Sequence, residues 1–342
     1  MWDGRQARFP RFSYIYVNLS HQPSRGGSRL EENVNKMEKV WHYTTVSKFQ
    51  AILNNSIVKD ESNSPKLSNF IFWASDICAM NDPTEYQYGY YLFVNELLPQ
   101  IEKKIGIKDR SLKLSQVWRN YEQTKSNPQK WHKFLINDNF EKHQTPFIIS
   151  FSKQRDFLPM WNTYASSGNG IALGFNNYEW RFTPKTESDY DVEVFSKLHA
   201  KDVDYGEYGE LPYKVILDLY KRYYEKVSSI NEKQERFNYM VQQLSTLSVI
   251  ASPYIKHKAY QYEEESRLIK FKKDAKDVKY RCNANGNVIP YIEIPIKKEY
   301  LVEIIIGPCA NDELVYRTLK PELLQLGIDI PIEKSEVPYR IY

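Results

Sequence analysis

Cysteine is scarce in this chain. Only Cys78, Cys282 and Cys309 occur in 342 residues, far apart and without a C-x-x-C or zinc-finger spacing. Three thiols cannot pair completely, so a disulfide framework is excluded and a reducing, cytoplasmic setting is expected. Long apolar runs are also missing, and none approaches the ~20 residues that a membrane-spanning helix requires. Charge of one sign is not in excess. Lys and Arg number 47 against 43 Asp and Glu, for a net charge of +4, too mild on its own to imply nucleic acid. Nor is there a G-x-G-x-x-G after a strand, a G-x-x-x-x-G-K-[ST] or an H-E-x-x-H, so the common routes to dinucleotides, phosphates and zinc are absent.

Aromatic residues are abundant, with 27 Tyr, 16 Phe and 7 Trp, in a chain 42% hydrophobic and 26% charged. That composition buries a sizeable core, and tyrosine adds a hydroxyl that seeks a polar partner. Residues 1–36 differ from the rest. They carry Arg5, Arg8, Arg11, Arg25 and Arg29, a Gly26-Gly27 pair and little periodicity, but no apolar core of about 7–15 residues that would make a signal peptide. They read as a disordered leader or an over-called start. Residues 37–342 read as a single domain, with helical insertions near 84–143 and 212–250.

Strands are expected at Val40–Tyr43, Phe70–Ala74, Pro146–Ser152, Ile171–Phe175, Val192–Leu198, Val203–Tyr205, Glu264–Phe271, Ile289–Ile296 and Leu301–Ile306, from apolar runs or period-two alternation. Helices are expected near 46–54, 84–104, 157–165, 212–228, 232–250 and 312–326. Thr44-Thr45 cap the first, and Asp82-Pro83 with Glu85 fit the start of the second. The elements are interspersed without a regular βαβ repeat. The fold class is therefore α+β, with a central mixed or antiparallel sheet and inserted helices.

Several polar constellations stand out. In Tyr262-Glu263-Glu264-Glu265-Ser266-Arg267, a strand would put Glu263, Glu265 and Arg267 on one face. Glu265 beside Arg267 would stay ionised, while Glu263 would have a raised pKa in a dry cleft. The plain alternative is a solvated charged edge. His42 would face away from Trp41 and Tyr43, and a lone histidine in an apolar strand is more often a satisfied core residue. Ser150 and Ser152 point to one side of their strand, with Ser152 or Asp156 as a helix cap in the plain reading. Met160, Trp161 and Tyr164 have the spacing of core aromatics. The Ser166–Gly170 turn is glycine-rich enough for a ligand to approach its backbone.

Together these segments resemble a large bacterial domain-of-unknown-function family. The signature is WHYT at Trp41–Thr44, NDPTE at Asn81–Glu85, SFS at Ser150–Ser152, LPMWNTYASSGNGIALGF at Leu158–Phe175, KHKAYQYEEESRLI at Lys256–Ile269 and EIIIGP at Glu303–Pro308. A more distant resemblance is to the ADP-ribosyltransferase fold: a first-strand histidine followed by a helix, a Ser-x-Ser strand leading into a helix and strand, and a late E-x-E at a strand start. The large insertion between 84 and 145 and the Asn81-Asp82-Pro83 element depart from it.

That resemblance implies NAD as substrate, without a metal. Glu265 would steady an oxocarbenium-like ribose. Glu263 would orient or deprotonate an acceptor, and His42 would bind a ribose hydroxyl. Tyr43, Trp161 or Tyr164 would stack on nicotinamide. Ser150 and Ser152 would support the glutamate, with Arg267 beside it in the cofactor site. The first expectation is thus an NAD-dependent ADP-ribosyltransferase or NAD glycohydrolase, of the toxin or anti-phage effector kind. The alternative is a non-catalytic module for a nucleotide, RNA or protein, with Lys103, Lys104, Lys108, Lys113, Lys130 and Lys133 available to a phosphate backbone. An RNA-cleaving toxin using His42 and Tyr43 has less support.

Overall fold

The computed structural model describes residues 39–59, 64–80, 85–124, 146–176, 199–271, 275–283 and 286–339. The 1–36 leader, the Asn81–Thr84 cap, residues 125–143 of the 84–143 insertion and the strand expected at Val192–Leu198 lie outside them.

Ten strands form the central sheet. In chain order they are β1 (Lys39–Thr44), β2 (Asn69–Asp76), β3 (Pro146–Ser152), β4 (Ile171–Asn176), β5 (His199–Asp202), β6 (Glu265–Phe271), β7 (Lys279–Cys282), β8 (Val288–Lys297), β9 (Leu301–Ile306) and β10 (Ile332–Lys334). The order is β7-β8-β2-β3-β1-β4-β9-β10, with β6 also on β3 and β5 on β6. All pairings in this sheet are antiparallel except β9 with β10, which makes it mixed.

Eight α-helices are present among the described residues. They are α1 (Val46–Ser56), α2 (Glu85–Leu92), α3 (Leu98–Ile105), α4 (Leu114–Thr124), α5 (Leu158–Tyr164), α6 (Glu210–Ser229), α7 (Lys233–Ala251) and α8 (Asp312–Gln325). A π turn at Phe93–Leu97 runs α2 into α3. None of the helices is long and apolar enough to cross a membrane. Local chemistry sets several ends. The Thr45 hydroxyl accepts from the Lys48 amide at 3.1 Å to start α1, and the Asn311 side chain accepts from the Leu314 amide at 3.0 Å to start α8.

Alternation along the strands divides the apolar side chains between two layers. Phe70, Phe72, Phe147, Ile149, Phe151 and Leu268 pack with Phe49 and Leu53 of α1 and Leu319 and Leu323 of α8. Ile148, Ile269 and Phe271 face the other way, against the helices built from α2 to α7. The helices expected near 212–228 and 232–250 are α6 and α7, and they supply much of that second layer.

The middle of the sheet is split. β6 pairs with β3 along its whole length. The opposite edge of β3 is shared: β2 joins it at Phe147 and Ile148, and β1 joins it at Ser152. Between these junctions the Ser150 carbonyl needs another donor. The His42 ring supplies it, with Nδ1 3.0 Å from that oxygen. His42 packs edge-on to Phe72 at 5.4 Å and tilted against Phe151 at 5.6 Å. Both phenylalanines belong to the layer under α1 and α8. Burial lowers the His42 pKa, and the bond to a carbonyl fixes the neutral tautomer protonated on Nδ1.

A lowered folded-state pKa means that the unfolded chain takes up the proton first as pH falls through about 6.5. Stability should therefore drop in that range. His42→Gln should flatten that part of the curve in urea unfolding followed between pH 5 and 8, and should cost about 1–3 kcal/mol at pH 8, where the Ser150 carbonyl loses its partner.

Candidate functional site

The residues around the glutamate cluster form a buried ion network. Lys256 ends a two-residue parallel pairing, Ile255–Lys256 with Asp204–Tyr205. Its Nζ lies 2.7 Å from Glu263 Oε2 and 3.0 Å from Glu265 Oε2. Arg267 grips the same Glu265 with a fork, Nε to Oε1 at 2.7 Å and Nη2 to Oε2 at 2.9 Å. Its Nη1 donates to the Pro253 carbonyl at 2.8 Å. All four residues are at most 4% exposed. Two carboxylates thus balance two cations where solvent does not reach.

Two local devices assemble this quartet. Arg267 follows Glu265 by two residues on β6, so alternation places them together. Glu263 arrives differently. β6 begins only at Glu265, and Glu263 ends a 3₁₀ turn over Lys258–Glu263. Glu264 between them takes a left-handed backbone, φ 43°. That kink, rather than strand alternation, turns Glu263 inward and sends Glu264 outward, where Gln154 donates to its carboxylate at 2.6 Å. Ser152 supports the turn. Its hydroxyl donates to the Glu263 carbonyl at 2.6 Å and accepts from the Gln154 amide at 3.0 Å. The Glu265 amide donates to the Tyr205 hydroxyl at 2.7 Å.

Burial shapes the titration of these groups. It raises the Glu265 pKa, while Lys256 and the Ser150 hydroxyl pull it back. Burial also opposes the charge on Lys256, but Glu265 and Glu263 outweigh it and the lysine pKa rises. For Arg267 burial lowers the pKa, yet three donated bonds hold the guanidinium protonated. Tyr164 donates to Glu263 Oε1 at 2.9 Å, and burial raises its pKa. It sits in a rim of partly exposed aromatics with Phe157, Tyr260 and Tyr262. Lys256 Nζ lies 4.8 Å from the centre of the Tyr260 ring, and the Phe157 and Tyr262 rings are 6.5 Å apart.

The expected site residues divide accordingly. Glu263, Glu265, Arg267, Ser150, Ser152 and Tyr164 come together on one face of the sheet. His42 does not, which corrects the expectation that it shares a cleft with Glu265. Its ring projects with Phe72 and Phe151, whereas Glu265 pairs with Ser152 and points to the opposite face. Tyr43 and Trp161 lie on the Glu265 side but are closed in. The Tyr43 hydroxyl is held by the Gln154 and Arg155 carbonyls at 2.8 and 2.9 Å. Trp161 is fully buried, edge-on to Tyr43 at 4.9 Å, and donates to Asp156 at 2.6 Å. Neither offers a free face for stacking.

Asp156 does not cap α5 either. It also accepts from the Ser335 hydroxyl and the Glu336 amide, at 2.7 and 2.8 Å. The glycines of the Ser166–Gly170 turn serve the chain itself. A Cβ on Gly170 would stand 2.2 Å from the Thr44 carbonyl oxygen.

Residues 160–268 match the family model described as a protein of unknown function, DUF2971. No curated protein and no solved structure matches the chain. The DUF2971 span contains Tyr164, Tyr205 and the entire quartet, while Ser152 and His42 lie before it. Lys256 is the member that charge patterning passed over. Its signal was the KHKAYQYEEESRLI segment, in which it stands seven positions before Glu263. Among the described residues no group of three or more His, Cys, Asp or Glu side chains is placed to hold a metal ion.

Breaking a buried ion pair leaves a charge without compensation and costs about 3–5 kcal/mol. Lys256→Met should cost that much in urea unfolding at pH 7. Adding Glu263→Gln to that variant should recover part of the loss, because the carboxylate left without a cation is then neutral while Arg267 still holds Glu265.

Proposed function

We propose that the protein is a nucleotide-binding module in which the acidic pair organises the site rather than reacting. The observation that carries this reading is the commitment of Glu265. Both its oxygens are engaged by Arg267 and Lys256, so a ribose hydroxyl could reach it only by displacing a charge-assisted bond. Beside it stand the partly exposed rings of Phe157, Tyr164, Tyr260 and Tyr262. Such rings suit a nucleobase or a nicotinamide, which present flat π faces. The position of β3, with Ser150 and Ser152, between the strands bearing His42 and Glu265 supports a likeness to the ADP-ribosyltransferase sheet. It supports NAD as one nucleotide to try.

A second reading, NAD cleavage, is favoured by one contact. Glu263 Oε1 is held by the phenol of the partly exposed Tyr164. A substrate hydroxyl that replaced the phenol would reach Glu263 while the Arg267 fork stayed closed. Catalysis would then rest on Glu263, with its carboxylate steadying the sugar cation as nicotinamide leaves.

The two readings separate when purified protein is titrated with NAD, ADP-ribose and AMP by calorimetry and nicotinamide release is followed in parallel. Binding without release is expected. Tyr262→Ala should weaken it about tenfold, the order of one lost stacking contact. Nicotinamide release that Glu263→Gln abolishes would replace the first reading by the second. Failure of all three compounds to bind would remove both.

A further inference from the structure

Beyond the quartet, the same face of the sheet carries a guanidinium that meets no carboxylate among the described residues. Arg281 is on the edge strand β7, and its neighbour Lys279 takes the nearby acid, Glu293, at 2.7 Å. Arg281 reaches over β8 to β2. There Nη2 donates to the Ser75 hydroxyl at 3.0 Å, and the guanidinium carbon lies 5.7 Å from the centre of the Trp73 ring. Tyr291 packs against the same shelf, its ring 5.0 Å from that of Trp73. No ion pair is formed by Arg281 among the described residues. Its Nε and the Trp73 Nε1 are both buried N–H donors without an acceptor. Buried donors are rarely left in this condition, and both groups can only donate.

We propose that Trp73 and Arg281 form a phosphate-binding subsite. A partly buried guanidinium over an indole ring, each with an N–H that has no acceptor, matches an oxyanion bearing several acceptor oxygens. Burial weakens the hydration that would otherwise satisfy the cation, and its pKa is lowered for that reason. Alternation puts Trp73 on the face of Ser75, Ile148 and Ser150, and the register of β3 with β6 carries that face to Arg267. β2 pairs with β3 only at Ser75 and Asp76, so Trp73 lies beyond that junction. A nucleotide that placed its phosphates at Arg281 would be one ligand of this subsite. The ligand's identity as a nucleotide rests on the function proposed above, but the phosphate subsite does not.

Inorganic pyrophosphate isolates the subsite, because it has no ring to stack. Calorimetric titration of the full chain should show saturable binding, at least tenfold weaker in Arg281→Gln. Arg281→Lys, which keeps the charge and loses the fork, should weaken it less. Trp73→Phe keeps the stacking surface and removes the N–H, and should weaken it several-fold. Tyr316→Phe, on the exposed side of α8, should leave it unchanged. ADP-ribose bound more tightly than pyrophosphate, and weakened by both Arg281→Gln and Tyr262→Ala, would assign the phosphate to a nucleotide. ADP-ribose bound no better than pyrophosphate would keep the subsite, now for a free oxyanion, while the nucleotide reading fell. The subsite is overturned if the native protein does not bind pyrophosphate, or if folded Arg281→Gln, checked by its melting temperature, binds it equally well.

Discussion

Four charges buried together constrain everything around them. An ionised carboxylate or ammonium removed from water costs several kcal/mol even after relaxation, so Glu263, Glu265, Lys256 and Arg267 are tolerated only as a neutral set with their hydrogen bonds filled. This requirement dictates the backbone. It needs a left-handed residue at Glu264 to bring Glu263 inward, a serine at position 152 to hold the Glu263 carbonyl, and a tyrosine at 205 to receive the first amide of β6. The segments that supply these groups lie far apart in the chain, so the network also ties the strand sheet to the end of the α7 region through Pro253.

The same arrangement bears on chemistry. A carboxylate that is to stabilise a developing positive charge must have an oxygen free for the substrate. Glu265 has both oxygens engaged, while Glu263 takes one bond from the phenol of the partly exposed Tyr164. The site therefore reads first as a rigid floor with an aromatic rim. Among the described residues, buried donors without an acceptor include Trp73 Nε1 and Arg281 Nε, further along the sheet.

Much of the fold was legible. The strands at Pro146–Ser152 and Leu301–Ile306 and the helices α6 and α7 follow from apolar runs and helical spacing, because burial on one or both faces imposes those periods on the chain. Alternation likewise set Glu265 beside Arg267 and Ser150 beside Ser152, whereas the meeting of the two pairs was expected only from the resemblance. What failed was the extension of local alternation to tertiary direction. Alternation correctly set His42 against Trp41 and Tyr43, but it could not say which of the two sides was the side of Glu265. It also paired Glu263 with Glu265 through a strand that starts two residues too late to do so.

By itself the sequence determined the elements, their apolar faces and the spacing that sets Glu265 beside Arg267, since these depend on neighbours a few residues away. Only the tertiary structure decided that β1 and β2 part along one edge of β3 and that His42 fills the gap at the Ser150 carbonyl. It also decided that Lys256 sits between two glutamates, and that Trp73 and Arg281 share one shelf. Such pairings join residues brought together by strand order, and strand order is settled by the packing of the whole sheet rather than by any one segment.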